Sequence, residues 1–558
     1  MNRESSWRLI VFGLFLVYAR GLFIDLMDVD ASQYASIAME MLQGGHWLGV
    51  QYRYADYLDK PPLLFWSSAL SFAVFGLHAW AYKLPSVLAA GAGVYATWRF
   101  CRLFYSRATA RNAAFVLASS VGAVLMCNDV RTDALLFGLT ACAVWQSAEY
   151  LAFAKPRNVL LAGLFVGLAM LAKGPIGLVM PAFAVGTHLV LRRNWRRMWH
   201  WHWLLAAGVV ALVLAPMAWG LYQQFDLHPE KVVLGRTGVS GLLFFFWQQS
   251  FGRITGSNIW KNDTSVFTFL HVYLWVFLPW PLLFAGALWR RGADLIRDRF
   301  SVPDGDEGYS VGGFALTFVA LSLSHYRLPH YIFITLPWAA VLTARWLTVL
   351  PPRPWWIVQY GVFAVLAAVA IWLMRGVFPP AEPLVWTVWL LLTGALAWHC
   401  IRAPFPPHPD LLVMRSGIAA IAILVVVNFH FYPNLLPYQA TIAAARAAQT
   451  AGIPPGKFAF FNRSGPALDF YSGRMLTAMS TPDEVRAGAA AGPFWLYTDG
   501  PGRARLDSAG VSYSPVWTMP HFEVALLTEM FMNGKTRAQA LVPVYILKID
   551  ASKTAGSP

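Results

Sequence analysis

A few carboxylates and cations, set in short polar breaks between apolar runs, carry the chemical content of this sequence. Asp30 lies in Asp28-Val29-Asp30-Ala31-Ser32-Gln33-Tyr34, and Asp59-Lys60 stand directly before Pro61-Pro62. Asp133 ends Asn128-Asp129-Val130-Arg131-Thr132-Asp133, and Lys173 sits in Leu171-Ala172-Lys173-Gly174-Pro175. Arg253 follows Gln248-Gln249-Ser250-Phe251-Gly252, and His325-Tyr326-Arg327-Leu328-Pro329-His330-Tyr331 forms a basic, aromatic cluster. A positioned carboxylate accepts a proton or supports a cationic carbon. A fixed ammonium or guanidinium stabilises charge growing on a phosphate. Each also has a plainer reading. Asp30 and Asp133 suit the first turn of a helix, and Lys60 suits an interfacial lysine whose stem lies along apolar surface.

The elements that must hold these residues are membrane helices. The chain has 558 residues, of which 57% are hydrophobic and only 13% charged, against roughly 25% charged in an average soluble protein. A soluble fold of this size has no place for so much apolar surface. The composition therefore predicts a polytopic α-helical membrane protein and excludes disorder, a disulfide scaffold and a nucleic-acid binder. The four cysteines, Cys101, Cys127, Cys142 and Cys400, all lie in or beside apolar runs. Arg3 and Arg8 precede the first run with no small-residue cleavage site after it, so an uncleaved first span is expected.

Apolar stretches long enough to cross the bilayer fall near 8–27, 84–104, 112–127, 133–153, 158–173, 176–191, 203–223, 266–289, 311–325, 329–349, 355–374, 384–400 and 416–431. The shorter stretch 62–77 is decided by charge. If it does not cross, one side collects the arginines at 99–111, 192–197 and 290–299, with Arg345, Arg353 and Arg402. That side is then cytoplasmic. About thirteen spans are expected, with the N-terminus inside, the C-terminus outside, and 62–77 lying as an interfacial or re-entrant helix. The net charge of +15 is mainly this topological signal. Residues 1–431 form the expected membrane domain, with a first outer loop at 28–61. Residues 432–558 form an expected small outer α/β domain, with β-like runs at Lys457–Phe461, Phe494–Thr498 and Val542–Ile549. Thr481-Pro482-Asp483-Glu484 predicts a capped helix start.

In the first outer loop, apolar residues at 34, 37, 38, 41 and 42 predict one helical face, stopped by Gly44 and lying flat on the membrane surface. Trp199-His200-Trp201-His202-Trp203 reads as an interfacial aromatic belt before it reads as a metal strip. No HExxH, CxxC, P-loop or GxGxxG unit is present, which argues against an ATP-driven pump or a dinucleotide enzyme.

Asp30 with Tyr34, Ala-Met-Glu-Met-Leu at 38–42, Gly-Gly-His-Trp-Leu at 44–48, Asp-Lys-Pro-Pro-Leu-Leu-Phe-Trp at 59–66 and Leu-Ala-Lys-Gly-Pro at 171–175 together resemble one family. It is the GT-C glycosyltransferase group of aminoarabinose (lipid A) transferases and protein O-mannosyltransferases. The resemblance implies a multi-span enzyme of the bacterial inner membrane with its active site and C-terminal domain facing the periplasm. It implies inverting transfer of a sugar from a polyprenyl-phosphate donor to lipid A or lipopolysaccharide, with protein or another glycan as the alternative acceptor. Asp30 matches the family's catalytic aspartate, Asp133 its second acidic residue, Lys60 and less closely Arg253 its phosphate contacts, and Tyr331 a late-loop tyrosine. Lys173 is expected as a further phosphate cation, and Tyr34 and Arg327 as substrate-binding residues. The family usually has Asp-Glu where Asp30-Ala31 stand, and Glu before the lysine where Asp59 stands. A divalent metal is conceivable at Asp59 by the same resemblance, and no other cofactor is implied. The apolar helices beside 62–77 are the expected bed for the isoprenoid tail. A transporter or flippase is the rival class; it would place ionisable groups near the bilayer midplane.

Overall fold

The structure, a computed structural model, describes residues 3–249, 252, 262, 264–348, 353–380, 383–402 and 409–551. Each apolar stretch is helical. Helix α1 spans Arg3–Leu22, α2 Asp30–Gly44, α3 Leu63–Phe75, α4 Ala79–Phe104, α5 Arg107–Ala118, α6 Val121–Asn128, α7 Thr132–Phe153, α8 Pro156–Lys173 and α9 Ile176–Leu191. There follow α10 His202–Leu221, α11 Thr268–Val276, α12 Pro281–Arg297, α13 Tyr309–Ser322, α14 Leu336–Thr348, α15 Arg353–Trp372, α16 Leu384–Arg402 and α17 Pro409–Val426. Among the described residues, six helices are long and apolar enough to cross a membrane, or seven if α5 and α6, bent by 49°, form one span. The chain is a multi-pass membrane protein. Two stretches read as single spans are broken: 266–289 divides into α11 and α12 before Pro281, and 329–349 opens with a tight turn at Pro329–Thr335, where prolines deny the backbone a donor.

Close packing fixes α7, the helix whose first turn carries Asp133. At its crossing with α4, a Cβ on Gly138 would lie 1.9 Å from the Ala89 carbonyl oxygen. Only glycine lets the two backbones approach so far, a common device between membrane helices. Helices α8 and α9 form a hairpin whose tip is Lys173-Gly174-Pro175. Gly174 takes φ of 85°, in the left-handed region that favours glycine.

Helix α3 is 13 residues long, about 20 Å, shorter than the roughly 30 Å hydrocarbon core. Helix α2 forms where its periodicity predicts and ends at Gly45, with φ of 70°. Its sides are covered by other parts of the chain. Ala31, Tyr34, Ser36, Ile37 and Met41 are all buried, because α3 covers one side and residues 466–475 the other. Between them a hairpin of β1 (Gln51–Tyr52) and β2 (Ala55–Asp56) turns through Arg53 and Tyr54, both at positive φ. Glu40 of α2 accepts their backbone N–H groups at 2.7 and 2.6 Å.

Beyond α17, helix α18 (Ala440–Thr450) leads into β3 (Phe458–Phe461), α19 (Pro466–Tyr471), β4 (Thr477–Met479), α20 (Pro482–Ala490), β5 (Phe494–Asp499), α21 (Gly500–Ser508), β6 (Tyr513–His521) and β7 (Val542–Ile549). The sheet order is β4-β3-β5-β7-β6, with β3 parallel to both neighbours and β7 antiparallel to both. The two-residue period of a strand sends Phe458 and Phe460 against α18, and Ala459 and Phe461 against α20 and α21. The Thr481 side chain accepts from the Glu484 N–H at 3.3 Å, the capping expected there.

Candidate active site

Six of the candidate residues and Asp59 line one cavity of about 380 Å³: Asp30, Tyr34, Lys60, Asp133, Lys173 and Tyr331. They arrive from five places in the chain. Asp30 opens α2, Lys60 precedes the Pro61-Pro62 entry to α3, Asp133 opens α7, Lys173 ends α8, and Tyr331 lies in the Pro329–Thr335 turn.

Neither aspartate caps its helix. Asp30 and Asp133 each lie in a first turn, yet no side-chain cap bond is made at either helix start. Asp30 Oδ2 instead accepts from Arg131 Nη1 at 2.8 Å. Arg131 also holds Asp129, through Nε at 3.1 Å and Nη2 at 2.9 Å. Burial would lower the Arg131 pKa, but Asp129, Asp30 and Asp133 outweigh it and raise it. Asp133 Oδ1 accepts from Lys173 Nζ, which also sits 4.2 Å from the Tyr331 ring centroid, a cation–π distance. The other Asp133 oxygen is buried with no hydrogen-bond partner among the described residues. His330 stands between the two pairs, with Nδ1 3.4 Å from Arg131 Nη1 and Nε2 3.9 Å from Asp133 Oδ2. Lys60 pairs with Asp59, whose main-chain carbonyl accepts from Gln249 Nε2.

Three carboxylate–cation pairs therefore meet in one cavity: Asp30–Arg131, Asp133–Lys173 and Asp59–Lys60. Tyr34 is buried, and desolvation, then Tyr57, Asp30 and Asp59, raise its pKa. Its hydroxyl stays protonated and available as a donor. The same cavity is also lined by the apolar side chains of Leu136, Ile176, Val179, Phe183, Leu321 and Ile334. They come from α7, α9, α13 and the 329–335 turn.

Two expected residues stand apart. The Arg327 guanidinium is buried and donates to the Ser322 carbonyl at 2.8 Å and to the Thr264 carbonyl. It ties a loop to α13 and does not line the cavity. Arg253 lies outside the described residues. The donor set at Asp59 does not suit a metal: Lys60 occupies one carboxylate oxygen, and no group of three His, Cys, Asp or Glu residues is gathered among the described residues.

Arg131 and His330 are the site residues that sequence reasoning passed over. The signal was present for Arg131, because an arginine in a two-helix turn on the cation-poor face invites the same question as Lys173.

The sequence profile of the family described as dolichyl-phosphate-mannose-protein mannosyltransferase matches residues 59–219. An undecaprenyl phosphate-alpha-4-amino-4-deoxy-L-arabinose arabinosyl transferase of Pseudomonas paraeruginosa is 26% identical over 303 residues, covering 52% of this chain and 51% of that protein. A Pseudomonas fluorescens relative of the same description is 26% identical over 375 residues, 65% of this chain and 61% of that one. The chain thus matches about half the length of the first of these relatives. ArnT from Cupriavidus metallidurans, solved bound to undecaprenyl phosphate, superposes with a TM-score of 0.75 at 19% identity over 100% of both chains. Its apo structure gives 0.73 at the same identity and coverage. The chain is thus similar in sequence to these arabinosyl transferases over part of its length, and it has the fold of ArnT.

Proposed function

We propose that this protein is an inverting glycosyltransferase that moves a sugar from a polyprenyl-phosphate donor to lipid A or lipopolysaccharide. The observation that carries this reading is the mixed lining of the cavity, three ion pairs together with a set of apolar side chains. An amphiphile with a phosphate-sugar head and a hydrocarbon tail matches both parts. The undecaprenyl phosphate bound to ArnT is such a lipid without the sugar, and the relatives are named as undecaprenyl phosphate-alpha-4-amino-4-deoxy-L-arabinose arabinosyl transferases.

In this reading the anomeric C–O bond to phosphate breaks as an acceptor oxygen attacks the opposite face. Negative charge grows on the departing phosphate, and Lys60 stabilises it more as it grows. Lys173 and Arg253 are the further phosphate cations. Asp30 orients the acceptor and supports the oxocarbenium-like carbon, with Asp133 beside it. Tyr34 and Tyr331 border the sugar. No step requires a metal. The topology that goes with this has about thirteen spans in residues 1–431, with 28–61 and 432–558 on the periplasmic side of the bacterial inner membrane. The C-terminal residues then form a small α/β domain.

The test is reconstitution in vesicles with radiolabelled undecaprenyl phosphate-4-amino-4-deoxy-L-arabinose and lipid A. Sugar transfer that disappears in Asp30→Asn supports the reading. Movement of donor across the bilayer with no transfer to any acceptor would support a flippase and sink the enzyme.

A further inference from the structure

The first turn of α2 hangs on one half-buried carboxylate that does not line the cavity. Asp28 Oδ1 accepts from Ser32 Oγ at 2.5 Å and from the Ala467 N–H at 2.9 Å, while Oδ2 accepts from Thr441 Oγ1 at 2.8 Å. The Asp28 N–H donates to Gln439 Oε1 at 2.8 Å, and Gln439 Nε2 donates back to the Leu26 carbonyl at 3.1 Å. One side chain thus joins α2 to the beginnings of both α18 and α19. Further along α2, Ser36 Oγ donates to the Pro466 carbonyl at 2.9 Å and Gln43 to the Gly473 carbonyl at 2.8 Å. The hairpin after α2 is tied to the same layer by the Arg53–Asp469 ion pair.

No lysine or arginine forms an ion pair with Asp28 among the described residues. Burial pushes its carboxyl above the usual range, against the pull of the Ser32, Ala467 and Thr441 hydrogen bonds. A carboxylate held out of water by hydrogen bonds, with Arg463 as a further positive charge and no ion pair, is a costly way to hold a loop. Its position explains it: Asp28 is two residues from Asp30, and the helix it anchors presents Asp30 and Tyr34 to the cavity.

We infer that Asp28 is a positioning residue through which the C-terminal sheet layer sets the placement of Asp30. This rests on the reading of Asp30 as the catalytic aspartate. The layer is then a brace for the reaction centre, and damage to its contact with α2 weakens turnover without touching substrate.

The experiment is steady-state transfer by the purified full-length protein, with undecaprenyl phosphate-4-amino-4-deoxy-L-arabinose as donor and lipid A as acceptor. Asp28→Ala is expected to lower kcat about 100-fold with donor KM nearly unchanged, the scale of a 1 Å misplacement. Asp28→Asn keeps an oxygen for Ser32 and Ala467 and offers an N–H to the Thr441 hydroxyl, so it recovers most of kcat, within about 5-fold of wild type. Thr441→Val, which leaves the Ser32 and Ala467 bonds in place, is expected to cost about 5-fold in kcat alone and decides the matter if Asp28→Ala does not fold. Wild-type kcat in Thr441→Val, or losses that appear in KM, overturn the inference while leaving the proposed activity intact. A wild-type protein that transfers no sugar overturns the activity itself, and the inference falls with it.

Discussion

Arg131 Nη1 donates to Asp30 Oδ2 at 2.8 Å, across a sequence separation of 101 residues. This contact joins the first turn of α2 to the turn before α7, and the remaining donors of the guanidinium hold Asp129. It fixes the orientation of Asp30, as a role in placing the acceptor and supporting positive charge requires.

Arg131→Met is expected to lower kcat about 100-fold, the scale of a misplacement of about 1 Å at the carboxylate it orients. Arg131→Lys keeps the charge and loses the fork that grips two carboxylates, so about a 10-fold loss is expected. Steady-state transfer assays on both variants check this. A Met variant with wild-type kcat would remove Arg131 from the site.

Lys173 and Asp133 form a pair inside the same cavity, and their substitutions should be strongly non-additive. Asp133→Asn and Lys173→Met each leave an uncompensated charge, whereas the double variant leaves neither. A double-mutant cycle on kcat/KM is expected to show a coupling of about 1–3 kcal/mol. Additive losses would mean that the two side chains act separately on substrate.

Gly138→Ala should destabilise the protein by about 1–3 kcal/mol, because the new Cβ would meet a backbone carbonyl at 1.9 Å rather than a movable side chain. Thermal unfolding of purified protein measures it. The change also shifts α7, and so Asp133, which predicts lower kcat at temperatures where the variant is still folded. An unchanged melting temperature would show that α4 and α7 can separate freely.

His521 supplies an acid-sensitive point in the C-terminal sheet. Burial, and then Arg463, lower its pKa to about 4 from 6.5, and its ring faces two donors, Arg463 Nη2 at 2.7 Å and the Ala440 N–H at 3.4 Å. The unfolded chain therefore binds a proton that the folded chain refuses. The contribution is fully present above pH 6.5, declines as pH falls towards 4, and amounts to about 3 kcal/mol across that window. His521→Gln should flatten the fall in melting temperature between those values. If the variant shows the same acid slope as wild type, the slope belongs to other groups.

Much of the site was legible in the sequence because its residue types are scarce where they stand. Asp30, Lys60, Asp133 and Lys173 are charges in polar breaks a few residues long, on the face that the charge pattern predicts to be poor in cations. Arg131 lay in one of those breaks, but its choice between solvent, Asp129 and Asp30 depends on where α2 comes to rest. Arg327 misled for the opposite reason. Its neighbours resemble a binding cluster, while its guanidinium is used up on two main-chain carbonyls.

The sequence by itself determined the helical membrane character, the positions of the apolar helices and the three clear strands, since hydrophobic periodicity and caps are local properties. It also determined the motif set that resembles the aminoarabinose-transferase group. Only the tertiary structure decided that α2 is buried on both sides, because residues 466–475, more than 400 positions away, cover its second face. Likewise only the fold decided which carboxylate meets which cation, and that apolar side chains of α7, α9 and α13 line the same cavity. Those outcomes follow from close packing between distant segments, such as the glycine-mediated approach of α4 to α7, and no local pattern encodes them.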